Sequence, residues 1–352
     1  MENTYNIDTS LIRIDFETMD TIMKSPVANS ESLIEGLIRY DYPNVVMIGA
    51  QPKLGKTHFT LDMCTEIARG GNFLGFKCKK GKTLYINLDS SKDEIKRRVQ
   101  NIGFQKHLTD DEMKNFAQIT LQCMPISDIA DALIRDVKDA GFSLVVIDAL
   151  FDCYFGPNFE SYDENSAGDA TKFMNQVKRI SEALKCPVAL VHHFRKSSEG
   201  YSLDPLDAFR GSGALTAAAD TLIALSNTHI NTNTRKNIQD ITGETECFLK
   251  GITVTVRERS FEDPEPFKCW LQDGIYHRDT GEFVKGASGR PKATDSDKEA
   301  FEEAFNSLEV NGRVKVSSLG DALGLDVKTV KKRADSYGYI RPDKGYITKA
   351  GA

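Results

Sequence analysis

Eight consecutive residues, Ala50, Gln51, Pro52, Lys53, Leu54, Gly55, Lys56 and Thr57, place a glycine, a lysine and a hydroxyl in the order that cradles phosphate. The run before them, NVVMIGA, is short and β-branched, and the run after them, KTHFTLDMCTEIARG, has a helical pattern. The segment therefore joins a strand to a helix. In that setting backbone N–H groups wrap the phosphates, and the helix N-terminus adds a favourable dipole. Gly55 permits close backbone approach, Lys56 reaches the β- and γ-phosphates, and Thr57 can ligate Mg2+; His58 closes the segment expected at the nucleotide. The first glycine of the pattern is replaced by Ala50, with Gly49 just before it. These residues predict a nucleotide site, with ATP and Mg2+ as its ligands.

Further candidates stand at the ends of other apolar runs. Asp148 closes LVVIDAL, 91 residues beyond Thr57, where a carboxylate at a strand's carboxyl end can hold Mg2+ through water. Asp89 closes INLD, and either orients the attacking water or caps the helix SKDEIKRRV. Glu94, on that helix, is expected to face solvent. His192 and His193 close VALVHHF; neighbours on a strand point to opposite faces, so His193 is expected to sense the γ-phosphate and His192 to be structural. Their surroundings lack the spacing of a zinc site. Arg257 and Arg259 leave TVTVRERSF as alternate residues, hence on one face. Spacing alone reads them as an exposed edge-strand pair; in a ring of subunits they could enter a neighbour's ATP site.

Such residues need a frame that gathers strand ends along one edge. Beyond the runs already named, FAQITLQCM, TLIALSN, ECFLKGITVTVRER and KCWLQDGIYHR read as strands. SESLIEGLIRY, SDIADALIRDVKDAG and AGDATKFMNQVKRISEALK read as helices. Strands alternating with helices of this length predict an α/β fold with a mostly parallel central sheet covered on both faces. The composition agrees, with 352 residues, 40% hydrophobic and 27% charged, near globular averages. No apolar run reaches the length of a membrane span, and MENTYNIDTS carries no basic stretch before an apolar core. Seven scattered cysteines without a Cys-x-x-Cys pair suggest reduced, buried thiols. A cytoplasmic protein is expected.

Charge divides the chain unevenly. Residues 285–352 hold 13 basic and 10 acidic side chains, and the remainder 32 basic and 41 acidic. Residues 285–297, KGASGRPKATDSD, have almost nothing to bury and read as a linker. Within 298–352, SSLGDALGLDVKTVKKRADSYG has the build of a helix–turn–helix. Leu319, Ala322 and Leu323 supply one apolar face, Gly324 the turn, and Val327, Val330 and Ala334 the next face. Lys328, Thr329, Lys331, Lys332 and Arg333 are left outward, and strands around Asp343–Gly345 would form a wing. Winged helices set such basic residues on phosphates; docking onto protein is the alternative.

Together, AQPKLGKTHFTLDM, TLYINLDSSKDEIKRRVQNIG, LVVIDAL, VHHFRK and FRGSGALTAAADTLIAL resemble a RecA-like P-loop ATPase, and more narrowly the RepA-type hexameric replicative helicases. The resemblance covers roughly residues 30–278. It implies an ATPase domain over 30–284 behind an N-terminal arm of 1–29, a homo-hexamer, and single-stranded DNA in a ring channel. The family's catalytic carboxylate, normally Glu, falls on Asp89, one methylene shorter. Its sensor histidine falls on His193, and its adenine-stacking arginine on Arg98. The related DnaB-type helicases carry a Lys-x-Arg finger pair, which Arg257-Glu258-Arg259 resembles, and this favours the trans-acting finger. The family's DNA-facing loops fall on FDCYFGPNFESYDENSAG, which is acidic, and on FRKSSEGYSLDPLDAFRGSG, where Arg195, Lys196 and Arg210 are the expected phosphate contacts. The other class of function is an ATP-switched DNA-binding regulator or loader without unwinding.

Overall fold

The computed structural model describes residues 17–24, 31–121, 124–153, 163, 165–194, 205–209, 211–231, 238, 248–259, 262–281, 295–340 and 345–349. The chain divides into two units, Met1–Glu31 and Ser32–Ala352. The element described in the first is α1 (Met19–Lys24), with Met19, Ile22 and Met23 exposed. Residues 1–16 and 25–29 of the expected N-terminal arm lie outside the described residues.

The second unit opens with a small antiparallel pair, β1 (Ser32–Ile34) and β2 (Ile38–Arg39). There follow β3 (Val45–Ala50), α2 (Lys56–Arg69), the pair β4 (Asn72–Phe73) and β5 (Phe76–Lys77), β6 (Lys82–Asn87), α3 (Lys92–Gln105) and α4 (Asp110–Met113). Next are β7 (Phe116–Thr120), α5 (Ile126–Asp136), β8 (Phe142–Asp148), α6 (Ala167–Leu184), β9 (Val188–His193) and α7 (Gly213–Ala218). The strands β10 (Thr221–Asn231), β11 (Phe248–Glu258), β12 (Phe267–Gln272) and β13 (Ile275–Arg278) complete the body.

Nine strands form one sheet in the order β13-β12-β11-β10-β3-β9-β8-β6-β7. From β10 to β7 every neighbour is parallel, and β11, β12 and β13 extend it antiparallel. Every residue of β3 and β8 is buried, as parallel strands covered on both faces must be. The alternation of side chains splits the core into two layers. Val45 and Met47 of β3, with Val145 and Ile147 of β8, face Phe173 and Val177 of α6. Val46, Ile48, Leu144 and Val146 face the other way, with Phe59, Met63 and Ile67 of α2.

Two expectations change in this body. SESLIEGLIRY, expected as a helix, is the β1–β2 pair. Its main chain is claimed by the segment beside β5: Glu35 N–H donates to Lys77 O over 3.0 Å, and Lys79 N–H to Leu33 O over 2.9 Å. Leu33, Ile34, Leu37 and Ile38 are all buried, and their apolar spacing suits a helix face as well as it suits this pair. KCWLQDGIYHR is not one strand but the β12–β13 hairpin, turning at Asp273 and Gly274 with φ of 51° and 85°. Asp-Gly is the two-residue turn whose twist suits paired strands. Among the described residues Cys64, Cys78, Cys153, Cys186 and Cys269 are free and buried, and no described helix is long and apolar enough to cross a membrane.

Residues 295–349 have a core of their own. It is built from α8 (Asp295–Leu308), β14 (Val314–Lys315), α9 (Val316–Leu323), α10 (Val327–Ser336), β15 (Tyr339–Ile340) and β16 (Tyr346–Lys349). The three strands pair antiparallel in the order β14-β16-β15. Phe301, Phe305, Leu319, Leu323, Val330 and Ile347 are buried together. Asp326 caps α10, accepting from the N–H groups of Lys328 and Thr329 over 2.9 and 3.0 Å. Three expectations need correction here. Asp295 and Asp297 are helical rather than linker, and Asp297 is buried. Arg333 is not outward: its Nη1 donates to Asp297 Oδ1 over 3.1 Å with only 11% of its side chain exposed. Val327 is exposed, and Leu325 packs against the core instead. Lys328 and Lys332 are exposed and Lys331 half-buried on α10. Asp343 and Lys344 of the expected wing lie outside the described residues.

Candidate functional site

The loop between β3 and α2 leaves the sheet at its centre, where the parallel strands end. Gly55 is the N-cap of α2 at φ 87°, a left-handed conformation that side chains resist. A Cβ there would also stand 2.4 Å from Tyr276 Oη, whose hydroxyl donates to Leu54 O over 3.1 Å. A Cβ on Gly49 would meet Phe209 at 2.4 Å and Phe194 at 2.6 Å, so glycine at this position of β3 is required by the two rings packed against it. Lys56 is buried, and its Nζ donates to Ala50 O over 3.3 Å and Gln51 O over 3.2 Å. Nζ also lies 3.2 Å from His193 Nδ1. An ammonium only donates, so Nδ1 accepts and the neutral ring carries its proton on Nε2. Burial lowers the Lys56 pKa, while Asp148 and Asp89 oppose that shift.

Asp148 ends β8 beside this lysine and is 4% exposed. Its Oδ2 accepts from Thr57 Oγ1 over 2.9 Å and from the buried Tyr85 hydroxyl. Burial raises the Asp148 pKa, and these two hydrogen bonds pull it back down. Asp89 is exposed, two residues before the cap of α3. That cap is Ser91, which accepts from Glu94 N–H over 3.2 Å. Asn87 holds the intervening turn, accepting from Ser90 N–H over 3.0 Å. The helix-capping alternative for Asp89 therefore falls away, and its carboxylate is left to the cleft.

These groups line one cleft of about 940 Å³. Pro52, Lys53, Leu54, Gly55, Lys56, Thr57 and His58 form its floor, with Asp89, Asp148 and His193 at the strand ends. Ala50 and Gln51 contribute carbonyls to Lys56 rather than lining. His192 is buried beneath. One wall is α3, where Arg98 and Glu94 both face the cleft and form an ion pair; Glu94 does not simply face solvent. Burial and the nearby Arg98 lower the His58 pKa. A second wall, Leu249, Lys250, Gly251, Ile252, Leu271 and Tyr276, comes from β11, β12 and β13. Sequence reading missed this wall and Tyr85, because nothing local relates them to the phosphate loop. The Asp-Gly turn was the available signal for β12 and β13.

A family model described as an AAA domain matches residues 10–199, more than half the chain. The chain belongs to this AAA domain family. The matched span includes Lys56, Thr57, Asp89, Asp148 and His193 and stops before β10. No curated protein matches the chain. Solved structures similar to it include an ATPase domain, 17% identical over 68% of this chain and 85% of that one, with TM-score 0.48. A DnaB-like replicative helicase, solved in a study of its interactions with primase, is 17% identical over 71% of this chain and 62% of that one, with TM-score 0.49. The RadB recombinase is 12% identical over 67% of this chain and 91% of that one, with TM-score 0.46.

The arginine pair lies outside the span matched to the AAA domain and away from the cleft. Strand β10 meets the phosphate-loop strand at Leu225 opposite Ala50, whereas Arg257 stands opposite Leu222. At about 3.3 Å per residue, that puts Arg257 roughly 10 Å back along the sheet from the loop. Arg259 is engaged within its own chain, its Nη2 donating to Ala217 O over 2.7 Å and Ala219 O over 3.1 Å, with Asp220 3.2 Å from Nη1. Arg257 is exposed. Arg195, Lys196 and Arg210, the expected DNA contacts, lie outside the described residues, as does most of the acidic loop before α6.

Proposed function

We propose that the chain is an ATP-hydrolysing, ring-forming DNA helicase or translocase of the RepA type, serving replication of a plasmid, phage or integrated mobile element in the cytoplasm. The ATPase reading rests on convergence. Lys56, Thr57, Asp89, Asp148 and His193 come from different strand ends, up to 137 residues apart, and line one cleft. The residues fit Mg2+, since a hydroxyl and a carboxylate 2.9 Å apart are hard oxygen donors beside the phosphate loop. Thr57 and Asp148 would hold the cation together with the phosphates and water. Magnesium, when bound, neutralises charge on the phosphate oxygens.

The chain's own groups divide the remaining work. Lys56 places an ammonium against the β- and γ-phosphates. Asp89 accepts a hydrogen bond from the water that attacks the γ-phosphorus in line, with ADP leaving on the opposite side. His193, tied to Lys56 through Nδ1, keeps its Nε2 proton for a γ-phosphate oxygen. Arg98 covers the base from α3. Arg257 suits a neighbour's site better than Arg259, whose guanidinium already serves the end of α7. A shared site of this kind makes lone subunits slow. In this reading residues 30–284 are the motor, and 298–352 a winged helix that offers Lys328, Lys331 and Lys332 to duplex phosphates. Arg195, Lys196 and Arg210 would meet single-stranded DNA in the hexamer's channel.

Exchanging Asp89 for asparagine keeps the shape but removes the acceptor charge. Turnover is expected to fall about 10²-fold, the lower range for a positioned base, with nucleotide affinity changed less than about threefold. A variant retaining half of wild-type turnover removes Asp89 from the chemistry. The motor reading predicts ATP turnover strongly stimulated by single-stranded DNA in a hexamer-sized species on a sizing column. The second reading, an ATP-switched DNA-binding regulator or loader, is favoured by the short Asp89 carboxylate and the exposed lysines of α10. It predicts duplex binding with flat turnover.

A further inference from the structure

Tyr85 sits in the middle of β6, 0% exposed, packed among the apolar side chains beneath α2. It is not part of the cleft's lining, yet its hydroxyl donates to Asp148 Oδ2. Thr57 Oγ1 donates to the same oxygen from 2.9 Å. The carboxyl torsion of aspartate is broad and roughly two-fold, so a single donor leaves the group free to swing. Two donors converging on Oδ2 restrain its plane and leave Oδ1 unclaimed by either of them.

The two donors are not equivalent. Thr57 belongs to the phosphate loop, and its oxygen is the one expected to reach a cation. Tyr85 is held by the core, away from ligand, so its hydrogen bond does not depend on what the cleft contains. A buried phenol needs some partner. That Tyr85 finds it on the buried carboxylate of the site, 63 residues away in sequence, links the core to the chemistry.

We propose that Tyr85 is a positioning residue for the divalent cation of the nucleotide, orienting the Asp148 carboxylate from below while Thr57 works from above. The inference rests on the reading of the cleft as an ATP–Mg2+ site. Groups that hydrogen-bond a metal's ligands commonly change metal affinity 10–100-fold when removed.

The test compares the wild-type chain with Tyr85→Phe, which removes one oxygen and keeps the ring. Mn2+ replaces Mg2+, and its affinity in the presence of ADP is read by electron paramagnetic resonance. Affinity for a fluorescent ADP is measured separately in EDTA, and the melting temperature of each chain is recorded. The expected result is Mn2+ affinity weakened about tenfold with metal-free nucleotide affinity unchanged within about twofold. In an Asp148→Asn background the same exchange should add nothing further. A purely structural tyrosine would lower the melting temperature and weaken both affinities equally, or neither, and that overturns the proposal. A wild-type chain that binds ADP but takes up no Mn2+ with it overturns the site reading and this inference together. Equal Mn2+ uptake by both chains overturns the inference alone.

Discussion

Replacing Lys56 with alanine is expected to lower ATP turnover about 10³-fold while leaving the far-ultraviolet circular dichroism unchanged. The magnitude follows from removing a preorganised charge aimed at phosphate oxygens, worth about 10²–10³ for a single neutral donor and more for a full cation. The ammonium needs no rearrangement to act. It is held by Ala50 O, Gln51 O and His193 Nδ1, and buried against Asp148. Steady-state phosphate release, with protein free of contaminating ATPase, is the measurement. More than a tenth of wild-type turnover in the variant would remove Lys56, and with it the phosphate-loop assignment, from the reaction.

The largest effect on stability is expected at Lys106. Its ammonium lies 2.7 Å from Asp62 Oδ1 and also pairs with Glu66, and the three side chains are only 9%, 2% and 7% exposed. Asp62 and Glu66 are on α2, and Lys106 follows α3, so this triad ties the phosphate-loop helix to the wall that carries Arg98. Among the described residues, removing the cation leaves Asp62 with only the Tyr276 N–H, 2.9 Å away, and Glu66 with only the more distant Arg69 at 3.9 Å, and breaking a buried pair in this way costs about 3–5 kcal/mol. Lys106→Ala should therefore lose roughly that much in urea unfolding. Replacing all three by apolar residues of similar volume should recover only part of it: the burial cost of the charges vanishes with them, but the Tyr276 N–H loses its acceptor on Asp62. A loss below about 1 kcal/mol would mean that water reaches the triad. Burial alone would lower the Lys106 pKa, but Asp62 and Glu66 outweigh it and hold it above the ordinary 10.5. A folded value above the unfolded one means the contribution is complete below that ordinary value and is lost as pH rises through the raised one. The destabilisation from the substitution should accordingly shrink in alkali.

What could be read in advance was local. The phosphate loop occupies consecutive residues between one strand and one helix, so residue type and order carry it whole. Asp148 and His193 were legible because they end apolar runs, and strand ends in a parallel sheet share one edge. The sheet itself followed from strands alternating with helices, whereas Ser91 rather than Asp89 as the cap of α3 emerged only in the structure.

Contacts between distant segments were decided only by the tertiary structure. Tyr276 reaches Leu54 across 222 positions and Tyr85 reaches Asp148 across 63, separations over which no periodicity carries information. The β11–β13 wall of the cleft exists because three antiparallel strands extend the sheet beyond β10. The direction of a basic side chain was likewise undetermined by pattern. Arg333 and Lys332 are neighbours on α10, yet one turns onto the buried Asp297 and the other faces solvent. Arg259 turns onto the carbonyls at the end of α7, whereas Arg257 is exposed. SESLIEGLIRY shows the same limit in the backbone. Its apolar spacing suits a helix, but a neighbouring segment offers its N–H and C=O groups partners, and the pair of strands forms instead. Sequence order sets which groups are available along the chain, and only packing sets which distant partners satisfy them.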